Sequence, residues 1–135
     1  MPPRLDEHPA LVDALGRRPS PLVLSGGVDY LSLWYYAPPD VQPRLLYLAD
    51  PSAELRETNT DTVDLGYLAL ARWTPVPAVP LVDFLRTHDR FDLYSLGPDW
   101  TIASLTKAGV AFSEIGRDPR GTLYEVRVRP APAER

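Results

Sequence analysis

Apolar positions along the chain switch between short continuous runs and helix-like spacing, and this pattern predicts an α/β fold. The run at residues 21–25 is almost wholly apolar, as in a strand that is buried on both faces, and residues 44–50 are predicted as a second strand. Residues 28–37 and 98–109 instead place apolar side chains three and four positions apart, which is typical of helices. Each of these helical segments directly follows a strand-like segment.

The remaining segments continue this order of strands and helices. A strand is predicted at 90–97, and a proline-rich strand at 74–82 suits a sheet edge because proline donates no ladder hydrogen bond. Residues 110–116 and 122–129 alternate apolar and polar positions on either side of a turn, which predicts an antiparallel hairpin. Further helices are predicted at residues 8–18, 52–57, 59–73 and 83–89.

Strands that alternate with helices favour a mostly parallel sheet with right-handed crossovers. We therefore predict a Rossmann-like three-layer α/β sandwich with strand order 3-2-1-4-5, to which the C-terminal hairpin adds an antiparallel strand. One domain covers residues 1–135, with flexible segments at 1–8 and 130–135.

Composition narrows the classes of function. The 135 residues carry a net charge of −4 and include no cysteine and only two histidines. An acidic surface does not suit nucleic acid, and disulfides, thiolate nucleophiles and Cys-based zinc sites are excluded. No apolar run is long enough to span a membrane, and the first residues do not form a signal peptide. We expect a soluble domain with no metal site, no cofactor and no catalytic residue.

The segment Ser25-Gly26-Gly27 joins a predicted strand to a helix, where dinucleotide-binding domains carry G-x-G-x-x-G. The third glycine is missing, although Asp50 ends the next strand at roughly the distance of the ribose-binding carboxylate. Two interpretations stay open. The glycines make a tight turn, or their N–H groups and the helix N-terminus hold a phosphate or carboxylate. The carboxylate of Asp29 argues against a bound anion, because it places negative charge near the pocket.

Other side chains are compatible with a ligand-binding or docking site, but they do not indicate a particular reaction. A crevice at the carboxyl ends of the strands would be lined by Ser25, Gly26, Gly27, Asp50, Ser95 and Asp99. Asp61 and Asp64 form a carboxylate pair only if they are not needed for capping. Trp34, Tyr35 and Tyr36 suit stacking on a sugar, contact with a membrane interface or docking, but also ordinary core packing.

Several phrases of the chain together resemble a known group of proteins. They are PLVLSGGVDYLSLWYYAPPDVQPRLLYLADP, DTVDLGYLALARW, VDFLRTHDRFDLYSLGPDWTIASLTKAG and LYEVRV. These phrases, within residues 8–128, resemble the extracytoplasmic C-terminal domain of bacterial GT-C class membrane glycosyltransferases, of the protein-mannosyltransferase or glycosyltransferase family 39 type. The resemblance implies a parent enzyme that transfers sugar from a polyprenyl-phosphate donor. The catalytic acids of such enzymes lie in the membrane body, so none is carried over to this sequence.

The resemblance gives our leading hypothesis for function. The domain would be a non-catalytic accessory domain at the periplasmic face, which positions a lipid-linked sugar or acceptor or packs on the transmembrane body of the parent glycosyltransferase. One alternative is a free-standing nucleotide- or small-molecule-binding module that uses the crevice. A second alternative is a structural or oligomerisation domain.

Overall fold

The structure, a computed structural model, describes residues 5–96 and 100–128. It has six helices and six strands in this range. The helices are α1 (Pro9–Arg17), α2 (Gly27–Tyr35), α3 (Pro51–Thr58), α4 (Thr62–Leu70), α5 (Leu81–Thr87) and α6 (Trp100–Lys107). The strands are β1 (Leu22–Ser25), β2 (Leu45–Ala49), β3 (Ala78–Pro80), β4 (Arg90–Ser95), β5 (Ala111–Asp118) and β6 (Gly121–Arg127). Two short 3-10 helices, Leu5–Glu7 and Gln42–Arg44, precede α1 and β2.

The six strands form one mixed sheet, which confirms the predicted α/β class. The order is β3-β2-β1-β4-β6-β5. The four strands from β3 to β4 pair in parallel, and both strands of the C-terminal hairpin join through antiparallel ladders. The proline-rich β3 lies at one edge, as predicted.

The predicted strand order needs one correction at the other edge. The second strand of the hairpin, β6, pairs with β4, and β5 lies outside it. The reason is burial, because Leu123 and Val126 of β6 are both buried, whereas most side chains of β5 are exposed or only partly buried. The more apolar strand takes the inner position, where both of its neighbours are strands.

Helices cover both faces of the sheet, so the sandwich has three layers. Alternate residues of β1 point to opposite faces: Leu22 and Leu24 join a cluster with α1, α2 and α4, whereas Val23 joins a cluster with α3, α5 and α6. All four residues of β1 are buried. The continuous apolar run at residues 21–25 is therefore explained by contacts on both faces.

Buried polar contacts fix α1 against the sheet. The Arg18 guanidinium, just after α1, donates to both carboxylate oxygens of Asp92 in β4, at 2.7 and 3.1 Å. Arg44 donates to the carbonyls of Leu15 and Arg18 at 2.7 and 3.2 Å. Asp92 is almost fully buried, so a charged partner with two parallel hydrogen bonds is what allows a carboxylate in β4.

Gly121 lies where the hairpin approaches β4 closely, and substitution of this glycine tests that approach. A Cβ atom at Gly121 would lie 2.5 Å from the Ser95 carbonyl oxygen and 2.6 Å from the Tyr94 ring. We expect Gly121→Ala to lower the free energy of unfolding by about 2 kcal/mol, the scale of overpacking, as measured by urea denaturation. The control is Gly66→Ala in α4, where a Cβ meets no atom within 4 Å, and alanine should raise stability slightly. Equal effects of the two substitutions would contradict the close approach.

Candidate functional site

The carboxyl ends of β1 and β4 border a crevice at the point where the chain connections diverge. From β1 the chain passes through α2 to β2 on one side, while β4 lies on the other side. Ser25, the last residue of β1, is in register with Ser95, the last residue of β4. In doubly wound α/β sheets, ligands bind outside the strand ends at such a reversal.

Gly26 makes the turn from β1 into α2. Its φ angle is 120°, which residues with a side chain rarely adopt, and a Cβ atom there would lie 2.9 Å from Leu96 Cβ. The Gly26 carbonyl accepts hydrogen bonds from the N–H groups of Asp29 and Tyr30. The turn geometry thus requires glycine whether or not a ligand binds.

The structure gives different surroundings to the residues predicted to line the crevice. The carboxyl ends of the central strands β1 and β4 bring Ser25, Gly26 and Ser95 together, and both serines are buried. Gly27 begins α2. Asp50 also lies at the carboxyl end of a strand, but its side chain caps α3. Asp99 lies outside the described residues.

Asp50 belongs to a network of buried acids. Its carboxylate accepts the N–H of Ala53 at 3.1 Å, and its own N–H donates to Asp64 at 2.8 Å. Asp64 is fully buried and also accepts a hydrogen bond from the Tyr47 hydroxyl at 2.5 Å. Glu54 accepts the N–H of Asp64 at 3.0 Å. Asp64 therefore has a structural role and does not pair with Asp61 for chemistry.

Burial raises the pKa of Glu54, and the nearby Asp64 carboxylate acts in the same direction, although the backbone hydrogen bond from Asp64 opposes them. Burial also raises the pKa of the neighbouring Tyr67 to about 12. Neither group is positioned at an open cavity of the crevice. Glu54 of α3 accepts the N–H of Asp64 in α4, and Tyr67 of α4 accepts the N–H of Leu31 in α2, so we assign both to the packing of these helices.

A second buried network lies directly at the crevice and connects His8, Tyr94 and Asp118. The Tyr94 hydroxyl donates to the Asp118 carboxylate, at 2.8 and 3.0 Å from its two oxygens. The Tyr94 oxygen lies 3.0 Å from His8 Nδ1. A hydroxyl can donate only one hydrogen bond, and Tyr94 donates its hydrogen bond to Asp118. Nδ1 of His8 must therefore be the donor to Tyr94. The neutral imidazole is therefore the Nδ1–H tautomer.

Asp118 accepts further hydrogen bonds from the N–H groups of Ala10, Arg120 and Gly121, each at 2.8 or 2.9 Å. Burial alone would raise the pKa of Asp118, but these three bonds and the one from Tyr94 together lower it. The carboxylate is thus held in its charged form.

Two cavities open beside this network. One, of about 200 Å³, is lined by Glu7, His8, Asp29, Leu33, Leu96 and Arg120. The other, of about 490 Å³, lies along the β5–β6 turn and shares Leu96 and Arg120 with the first. Arg120 and Glu7 form an ion pair at 3.4 Å at the boundary. The crevice therefore has charged walls that the sequence did not indicate.

Sequence reasoning missed His8, Asp118 and Arg120 for two reasons. It assigned His8 to a flexible segment, whereas the structure has a 3-10 helix at Leu5–Glu7 and buries His8. It treated the segment around Asp118 and Arg120 only as a turn. The hydrogen bonds that join these parts span 86 and 108 residues, and local pattern does not report such contacts.

The predicted docking aromatics lie at a separate, apolar groove of about 620 Å³. Trp34 is buried at its wall, whereas Tyr35 and Tyr36 are 65% and 59% exposed. The lining residues are Leu31, Ser32, Trp34, Tyr35, Tyr36, Gln42, Leu70, Thr74 and Pro75, and none is charged. Trp73, next to Thr74 in the chain, is 85% exposed.

Within the described ranges, no three His, Cys, Asp or Glu side chains group as metal ligands. No helix in the same part of the chain is long and apolar enough to cross a membrane. Comparison with protein-family models, with curated proteins and with solved structures finds no match to this chain. The function must therefore be argued from the chain itself.

The His8 network predicts a loss of stability in weak acid. Burial lowers the pKa of His8, although the Asp118 carboxylate opposes the shift. The unfolded chain therefore binds a proton near the ordinary value of 6.5, before the folded chain does, and stability should fall as the pH drops through and below that value. The Asp118 carboxylate, whose pKa is also lowered, should add a separate loss only as the pH falls towards and below 3.8.

Urea denaturation between pH 7.5 and 5 measures the first loss. His8→Asn should reduce this pH dependence, because asparagine keeps a donor for Tyr94 but does not titrate. His88→Asn should leave the His8 contribution in place. A pH dependence that His88→Asn removes and His8→Asn retains would contradict the assignment.

The capping role of Asp50 makes a second prediction. Asp50→Ala should lower the free energy of unfolding by about 1 kcal/mol, because the N–H of Ala53 loses its acceptor. Asp50→Asn should be nearly neutral, since asparagine caps helices about as well. Chemical denaturation of the two variants measures the two free energies of unfolding. An equal loss for both would mean that the negative charge, and not the cap, is what the fold needs.

Proposed function

We propose that this domain is a non-catalytic accessory domain of a membrane glycosyltransferase that uses a polyprenyl-phosphate sugar donor, and that it packs on the membrane body through the groove between α2 and the segment after α4. The observation that carries the proposal is the uncharged groove, which Tyr35 and Tyr36 line and which has the exposed Trp73 next to its lining residue Thr74 in the chain. The sequence resemblance described above supplies the partner.

The chemistry of the groove suits a buried interface. Exposed tyrosine and tryptophan side chains combine a large apolar surface with one polar group, and they are enriched in interfaces and near membrane surfaces. Tyr35 and Tyr36 pack edge to face with ring centroids 5.0 Å apart, which limits their freedom before binding. Less ordering entropy is then lost when a partner covers them.

The other surfaces of the domain support a positioning role over catalysis. Two acids are used for hydrogen bonds within the fold: Asp64 of α4 accepts from Tyr47, and Asp118 at the end of β5 accepts from Tyr94. The Tyr94 hydroxyl, which is hydrogen-bonded to His8, is fully buried and donates to Asp118, so it is not a free nucleophile. A second candidate function is that of a module that binds a small molecule in the crevice.

The first experiment detects the native protein in its source cells. An antibody against this domain should recognise a membrane-bound band much larger than 15.1 kDa, the mass of this chain. A band near 15.1 kDa in the soluble fraction would overturn the proposal and favour the small-molecule module. A soluble dimer of that chain, found by analytical ultracentrifugation, would favour an oligomerisation domain.

The second experiment tests the groove within the native membrane protein. Tyr36→Ser combined with Trp73→Ser should lower sugar transfer from the polyprenyl-phosphate donor severalfold, because the exposed apolar contact area is lost. Both side chains are largely exposed, so the stability of the domain should change little. The matched control is Leu55→Ser with Val82→Ser, which alters two exposed apolar residues on the opposite layer. Equal effects of the two pairs would contradict docking through the groove.

A further inference from the structure

The His8 ring has one nitrogen used by the fold and one available to a ligand. His8 is only 5% exposed, and its ring lines the 200 Å³ cavity. Its Nδ1 atom donates to Tyr94. Among the residues that the structure describes, no group hydrogen-bonds to Nε2. Nε2 does not belong to the fully buried side-chain nitrogens that lack a partner, so it is accessible at the cavity, where a donor of a ligand can reach it.

The tautomer decides what this nitrogen binds. Because the Tyr94 hydroxyl donates its hydrogen bond to Asp118, its oxygen accepts a hydrogen bond from the Nδ1–H group of His8. Nε2 then carries no proton and keeps its lone pair. The buried chain from Asp118 through Tyr94 fixes both the tautomer and the ring orientation. Nε2 is therefore an acceptor that needs a donor from the ligand.

The charges around the cavity also favour a donor. Asp29, in the first turn of α2, lines the cavity and has no side-chain hydrogen bond or ion pair within the described ranges. The carboxylate of Glu7 already faces the guanidinium of Arg120 at 3.4 Å. Asp118 adds a third carboxylate behind Tyr94. Two carboxylates and one guanidinium line the cavity and a third carboxylate lies behind Tyr94, so the local charge is negative and an anion would be repelled.

We propose that this cavity binds a small primary ammonium compound, with one N–H donated to His8 Nε2 and another to the Asp29 carboxylate. Leu33 and Leu96, which also line the cavity, contact the carbon atoms next to the nitrogen. The volume is several times the ~30 Å³ share of one water molecule, which fits a compound of a few non-hydrogen atoms. The site stands independently of the groove and of the membrane partner.

Binding depends on pH through His8. The groups that face the ring are Asp118, Glu7 and Asp29, which favour its protonation, and Arg120, which opposes it, with Tyr94 held at Nδ1. Burial lowers the pKa of His8, so the ring is neutral at pH 7.5. Below that pKa, Nε2 carries a proton and can no longer accept, and the ammonium ion meets a second positive charge.

The experiment is an NMR titration of the folded chain at pH 7.5 with ethanolammonium chloride as the probe. Glycerol and sodium acetate at matched ionic strength are the comparison compounds. We expect saturable amide shifts around Asp29, Leu96 and Arg120 with the ammonium probe only. The ¹⁵N shifts of the His8 ring should show the Nδ1–H tautomer in the free protein and a hydrogen-bonded Nε2 in the complex.

Two variants test the two contacts separately. His8→Asn keeps a donor near the position of Nδ1 for Tyr94 but has no atom equivalent to Nε2. Asp29→Asn removes the charge of an exposed side chain, so folding should persist. Each should weaken binding about tenfold or more, as expected for a charge-assisted hydrogen bond. The matched controls, His88→Asn and Asp83→Asn, lie on or beside α5 and should not change the affinity.

Three results would each overturn the proposal. The first is shifts that grow linearly without saturation. The second is equal or tighter binding of glycerol or acetate. The third is an affinity that Asp29→Asn leaves unchanged at pH 7.5. If His8→Asn does not fold, the loss of binding on lowering the pH from 7.5 to 5.5, measured while the chain stays folded, replaces it as the test of Nε2.

Discussion

The Asp118 carboxylate joins three parts of the chain that are far apart in sequence. It accepts the N–H of Ala10 at the start of α1, the hydroxyl of Tyr94 in β4 and two N–H groups of its own turn. Together with the Glu7–Arg120 ion pair, these bonds attach the N-terminal segment to the hairpin. The position of His8, and with it the shape of the crevice, depends on these contacts.

The fold uses two buried acids and one half-buried acid in the same way. Asp92 pairs with Arg18, Asp64 accepts from Tyr47 and Asp50, and Asp118 accepts from Tyr94. Each buried carboxylate is surrounded by donors, which is what burial of a charge requires. This explains why a sequence with 18 acidic residues contains no evident acid–base pair. The carboxylate of Asp29 differs from these because it faces a cavity and not a donor of the fold.

The local pattern of the sequence was sufficient for the class of fold, because strands buried on both faces and amphipathic helices have distinct periods. The apolar run of β1 and the proline-rich edge strand β3 were both predicted in their places. The neighbour of β4 was not, since the choice between β5 and β6 depends on which strand buries Leu123 and Val126. The crevice at the carboxyl ends of the strands stays a prediction as a binding site. Its charged walls were missed, because His8 and Arg120 reach it only through tertiary contacts.

The place of β6 inside the sheet has a consequence for the order of assembly during translation. The ribosome makes β1, β2, β3 and β4 first, and until residue 127 has emerged β4 presents an unpaired edge next to the core. The hairpin that covers this edge also brings Asp118, which attaches the first helix made. The earliest and the latest segments of the nascent chain therefore become ordered in the same event, so the domain should gain its cooperative stability only when synthesis of the hairpin is complete.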